Sequence, residues 1–238
     1  MSYRNRQTFD LGADSQEEAV ASTESLTRRA DQIQDQIRQL DLHENDQRHS
    51  LGHQLAIILT DLEQSAQAWQ VGFPAFKWYI SQQNWEQAVE ACDTLFRSGH
   101  EDALIALGHG LWLSITFPVD PALTLAQLQH VIDDTPEDSD GAAVAAAVAA
   151  YVVDLRCPDS QTSLTSDTTL IVGQMLNDVA RRHSNVDNQD EFNTWFEKLE
   201  LNNPAKFLVR MRNIIDVLVQ DQWWIDRAEL QGMIPEEA

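Results

Sequence analysis

The chain has 238 residues, 43% of them apolar, and acids outnumber bases 38 to 16, a formal charge of −22. That length and apolar share make a folded core rather than a disordered chain. The acidic balance disfavours direct nucleic-acid binding and docking on an anionic membrane, both of which rely on Lys and Arg; it fits a basic protein partner, or solubility alone.

Only nine Gly and seven Pro occur, which favours long helices over many short strands. Cys92 and Cys157 are too few and too distant in sequence for a disulfide framework. The opening MSYRNRQTFDLGADS lacks the apolar core of a secretory leader, and no apolar run approaches the ~20 residues that span a bilayer, so the expected location is the cytoplasm.

Residues 1–16 are polar and mixed and read as a flexible N-terminus. From Glu17 the chain turns helical. Leu26, Ala30, Ile33, Ile37 and Leu40 step by four and three, the narrow seam of a coiled-coil helix. Through Leu26, Ile33, Ile37 and Leu40 that seam would either join two copies of the chain or pack on its own bundle. A second seam runs through Leu51, Leu55, Ile58, Leu62, Ala66 and Trp69. Between them lies HENDQRHSLGH, His43–His53, where capping residues and Gly52 favour a break near 43–50 over one continuous helix.

VGFPAF, residues 71–76, reads as a connection, because Pro74 restricts Phe73. Trp85, Ala88, Val89, Cys92, Leu95 and Phe96 then make a helical face that Gly99 stops, and a further helix runs to about Leu113. YISQQNWEQAVEACDTLF resembles one helix–turn–helix of the tetratricopeptide type, and the likeness implies an antiparallel helical hairpin. FPVDP breaks the chain, and a helix spans about 123–132. DDTPEDSDG, residues 133–141, is an acidic loop; from Ser98 to Leu155 there is no Lys or Arg against nine acids. AAVAAAVAAYVVDLRC reads as a buried central helix, since alanine lets neighbours approach closely.

DSQTSLTSD, residues 159–167, reads as a linker. Helices follow at about 168–182, 190–199 and from Pro204, with a short one around 224–230. The expectation is an all-α bundle of eight to ten helices. It opens with a coiled-coil-like helix or hairpin and carries a tetratricopeptide-like helix pair in its middle. Residues 17–158 form the main bundle, and 168–238 a C-terminal helical subdomain packed on it.

On a helix, Asp46, His49 and His53 fall within about 60° of one another and could offer a divalent metal one carboxylate and two imidazoles, although a site also needs a ligand from elsewhere. A solvated polar face explains the same residues. Arg48-His49-x3-His53 resembles the motif of HEPN ribonucleases, an all-helical family. The likeness implies an RNA-cutting site built on Arg48 and His53 with a paired protomer, whereas here the motif stands near the N-terminus and the chain repels RNA. His109, between Gly108 and Gly110, reads as a buried, hydrogen-bonded histidine; the glycines would also admit another backbone or a planar cofactor.

No phosphate-binding glycine loop, nucleophile elbow, C-x-x-C or E-x-x-H occurs, and no cofactor is indicated. The preferred reading is a non-enzymatic interaction protein (adaptor, assembly chaperone or regulator) with an acidic surface for a basic partner. Its candidate contacts are Asp133, Asp134, Glu137, Asp138, Asp140, Trp223 and Trp224, one tryptophan serving as an exposed anchor. The alternatives are the HEPN-like ribonuclease and an acidic mimic of nucleic acid.

Overall fold

A computed structural model describes residues 11–41, 43–157 and 163–234, with eleven helices and no strand among them. In chain order they are α1 (Leu11–Gln39), α2 (Asn45–Asp61), α3 (Ser65–Ser81), α4 (Trp85–Arg97), α5 (Ala103–Thr116) and α6 (Pro121–Asp134). Then come α7 (Asp140–Arg156), α8 (Ser163–Ser184), α9 (Gln189–Lys198), α10 (Pro204–Val219) and α11 (Arg227–Gln231). None is long and apolar enough to cross a membrane.

From α1 to α8 each helix packs on the next. The even-numbered helices α2, α4, α6 and α8 also touch their neighbours in turn and form one layer. In the other layer, α10 wedges between α5 and α7. One core runs from α3 to α11, centred on α7, whose alanines 142, 143, 145, 146, 147 and 149 are all buried. A smaller cluster joins Ala30 and Ile33 of α1 to Leu55, Ile58 and Leu59 of α2 and Ala68 of α3.

The seam of α1 therefore closes on α2 of the same chain. The residues expected to join two copies, Leu26, Ile33, Ile37 and Leu40, are all buried or half-buried in this way.

Three sequence expectations are corrected. The second seam is not one helix: Leu51 to Leu62 belong to α2 and its C-cap, Ala66 and Trp69 to α3. The turn between them, Leu62–Gln64, contains no Gly or Pro to mark it. Glu63 adopts φ 58° between Leu62 and Gln64, and Gln83 (φ 55°) and Glu200 (φ 55°) do the same in the turns before α4 and α10. In each, two successive amides bond back to the closing helix, as Gln64 N to Leu59 O (2.8 Å) and Asn84 N to Tyr79 O (2.9 Å). These bonds offset the strain of a left-handed non-glycine residue.

VGFPAF is not a connection either, since α3 runs through it with Pro74 inside. An interior proline costs about 3 kcal/mol, but the surrounding Ala68, Ala75 and Phe76 are almost wholly buried, and that burial outweighs the loss. Gly72 is there for close packing: a Cβ would lie 3.1 Å from Ala56 and 3.2 Å from Leu95. The third correction concerns 163–167, expected in a linker and found in α8; residues 159–162 of that stretch lie outside the described residues, as do 1–10 of the expected flexible N-terminus.

Candidate functional site

The histidine segment lies in the turn before α2 and in the first half of α2, and its side chains reach partners on several helices. Its break falls at 40–44, and Arg48, one turn into α2, donates to the carbonyls of Ile37, Leu40 and Asp41 at 3.4, 3.1 and 3.3 Å. It thereby caps the C-terminus of α1. Asp46 accepts the indole N–H of Trp78 at 2.9 Å, and His49 stacks on the same ring, centroids 5.0 Å apart. His53 is buried, its Nε2 3.1 Å from the hydroxyl of Thr94. That hydroxyl donates to Glu90 O at 3.0 Å, so the imidazole supplies the proton.

Asp46, His49 and His53 do share one face of α2, but Asp46 and His49 both engage Trp78 of α3 while His53 turns to Thr94 of α4. Burial lowers the pKa of both histidines. Among the described residues, no group of three His, Cys, Asp or Glu side chains stands placed to hold a metal. Arg48 and His53, the pair of the ribonuclease resemblance, turn to different helices, one to the end of α1 and the other to α4.

His109 sits at the centre of an aromatic nest. It is fully buried and stacked on Trp224 at 4.3 Å, with Trp223 tilted against it at 5.0 Å. Trp69, Phe73 and Phe76 of α3 meet the Trp224 ring edge-on. Arg227 lies 4.1 Å over Trp223. Both tryptophans offered as partner anchors are half-buried in this internal packing. The glycines beside His109 bring neighbours close: a Cβ at Gly108 would lie 2.5 Å from Val219 of α10, and one at Gly110 would lie 2.3 Å from Gln127 Oε1 of α6.

The structure also brings Asp140 to the adjacent pair His183-Ser184, a meeting that the sequence does not show. His183 Nδ1 lies 2.6 Å from Ser184 Oγ and 3.2 Å from Trp195 Nε1, and its Nε2 lies 3.2 Å from Asp140. The indole can only donate, so Nδ1 accepts and Nε2 carries the proton toward Asp140, whose other oxygen accepts from Arg210 at 2.9 Å. This is the order of an acyl-transfer triad, yet two features oppose that chemistry. Trp195 already occupies the lone pair that would take the serine proton. Ser184 also ends α8, where exposed carbonyls and the helix dipole disfavour an oxyanion. The cluster's work is to tie together the start of α7, the end of α8, α9 and α10.

The surface also carries a concentration of acidic side chains. The α2–α3, α4–α5 and α6–α7 turns lie at one end of the bundle. Arg97 near the end of α4 reaches Asp61 at the end of α2 at 3.8 Å, and Asp93 of α4 meets His130 near the end of α6 at 2.7 Å. These turns and the helix ends beside them carry Asp61, Glu63, Glu101, Asp102, Asp133, Asp134, Glu137, Asp138 and Asp140. Asp61 shares Arg97, and Asp140 is held by Arg210 and His183. Asp133 accepts from Gln129 at 2.7 Å. Glu63, Glu101, Asp134, Glu137 and Asp138 are exposed and, among the described residues, in no ion pair. No known protein family, no curated protein and no solved structure matches this chain.

Proposed function

We propose that the chain is an adaptor-like helical protein that holds a basic segment of another protein against the acidic end of its bundle. The observation that carries this reading is the convergence of three alternate turns at one end, with exposed carboxylates that are in no ion pair among the described residues. The contacts are Asp133, Asp134, Glu137 and Asp138 of the α6–α7 turn, with Glu63 and Glu101 beside them. Asp140 is already engaged by Arg210 and His183, and Trp223 and Trp224 are packed around His109, so these three are left out of the proposed contact. Exposed carboxylates at this spacing steer and select a cationic partner more than they tighten its grip.

A fluorescent peptide of alternating lysine and glycine tests the reading by anisotropy. Binding should weaken steeply between low and high salt, because exposed charges are screened within about 10 Å at 0.1 M. The triple variant Asp134→Lys, Glu137→Lys, Asp138→Lys should abolish it. Binding that survives the triple variant would place the contact elsewhere, and no binding at low salt would remove the reading.

A further inference from the structure

At the other end of the bundle a slot opens between the C-terminal half of α3 and α11. It has a volume of about 330 Å³ and a mixed lining, its apolar part made by Phe76 and Ile80 on one side, Ile225, Leu230 and Met233 on the other, and Trp224 between them. The Gln83 amide, 3.5 Å from the sulfur of Met233, joins the two walls. Since His109 holds the Trp224 backbone and stacks on its ring, one wall of the slot is fixed in place.

Acids outnumber bases at its rim, Asp226 and Glu229 against Lys77. Lys77 lines the slot, but its Nζ lies 4.7 Å over the ring of Phe73, which does not. Arg227, the next cation in sequence, is drawn away to Trp223 and Asp216. Two carboxylates remain. Asp226 is anchored by accepting the amides of Ala228 and Glu229 at 3.0 and 3.1 Å, and Glu229 is exposed and in no ion pair among the described residues.

We propose that this slot binds a small organic cation with an aromatic body, an arylalkylammonium by chemical class. The volume sits at the lower edge of ligand pockets, about 300–1,000 Å³, and is too small for a helix about 10 Å across, so the occupant is a small molecule rather than a peptide helix. The apolar part of the lining takes the ring, and Asp226 and Glu229 take the ammonium. An anion of the same shape would meet two like charges instead. The site does not depend on the acidic end, and either can fail without the other.

Tryptamine, indole and indole-3-acetate share one ring system and differ in the charge of the tail. Titrated into ¹⁵N-labelled full-length protein, tryptamine should shift the amides of 225–230 and the Trp224 indole N–H saturably. Indole-3-acetate should bind at least tenfold more weakly, with indole between them. Glu229→Gln, an exposed substitution outside the core, should close most of the gap between the two charged ligands. Saturable shifts that map away from α3 and α11, equal affinity for both charged ligands, or no saturable shift by tryptamine would each overturn the proposal.

Discussion

His109 Nε2 accepts the backbone N–H of Trp224 at 2.9 Å, while its Nδ1–H donates to Ile105 O at 2.8 Å. An amide can only donate and a carbonyl can only accept, so the two bonds require the neutral ring in one tautomer. Burial, the dominant cause, pushes its pKa from 6.5 down to about 4. The unfolded chain thus takes up the proton first. The stabilisation is complete above about pH 6.5 and is lost as pH falls toward about 4. The full loss is about 3 kcal/mol from this residue. His49 and His53, lowered mainly by burial, push in the same direction, while Glu90, raised mainly by burial, opposes them. Urea midpoints should fall between pH 7 and pH 4.5, and the fall should shrink in His109→Asn, which is already destabilised at pH 7. An unchanged pH slope in the variant would contradict the assignment.

Gly108 and Gly173 make a paired prediction. Alanine at 108 would bring its Cβ 2.5 Å from the branched Val219, whereas at 173 a Cβ meets nothing within 4 Å. Replacing helical Gly by Ala gains about 1 kcal/mol where space allows. Gly173→Ala should therefore raise the thermal midpoint. Gly108→Ala should lower it, by about 1–3 kcal/mol in stability, because α10 must move off α5. A gain at both positions would mean that α10 does not pack on α5 as closely as described.

The contrast between these glycines shows what was legible in the sequence. Apolar periodicity and alanine richness marked most helices, including the buried α7, and the flanking glycines marked His109 as a point of close approach. The sequence could not show that Trp224, 115 positions later, supplies the approaching backbone. Nor could it show that His183, Ser184 and Asp140 meet, because that meeting follows from how α7 and α8 pack. Unusual chemistry hid the α2–α3 turn, where Glu63 carries a left-handed conformation that glycine normally advertises, and it made Pro74, inside α3, read as an end. The acidic residues were visible as a run, but their convergence with Glu63 and Glu101 required alternating helices to bring three turns to one end.

Arg156 fixes the opposite end of that arrangement. Its guanidinium donates to the carbonyls of Ser114, Ile115 and Phe117 at 2.7, 3.3 and 2.8 Å, to Val119 O at 2.9 Å and to Thr124 Oγ at 3.0 Å. Desolvation lowers its pKa. The four carbonyls lie at the end of α5 and in the turn beyond it, where a cation complements the helix dipole; Ser114 O also accepts from Thr124 and Phe117 O from the Val119 amide. Arg156→Ala should cost about 3–5 kcal/mol, since several buried acceptors lose a charged donor together. Arg156→Lys should recover only a minor part, because a single ammonium cannot fork across five acceptors. Denaturant titration of the three proteins distinguishes this from a simple charge effect, in which lysine would restore stability fully.

The contact between Ile33 and the α2 leucines decides what the α1 seam does. Ile33 is 5% exposed and packs in the cluster of Leu55, Ile58 and Leu59, so within one chain the seam already has its partner. Ile33→Asp would bury a carboxylate there without a cation, which is costly, and the chain's response is to release α1 from α2. The expected outcome is an unchanged solution mass by light scattering, accompanied by faster amide hydrogen exchange in 26–40 and 51–62. Exchange elsewhere in the core should stay slow, since α3 to α11 share a separate cluster. Were the seam instead an interface between two copies, the wild-type mass would correspond to a dimer and the variant's to a monomer.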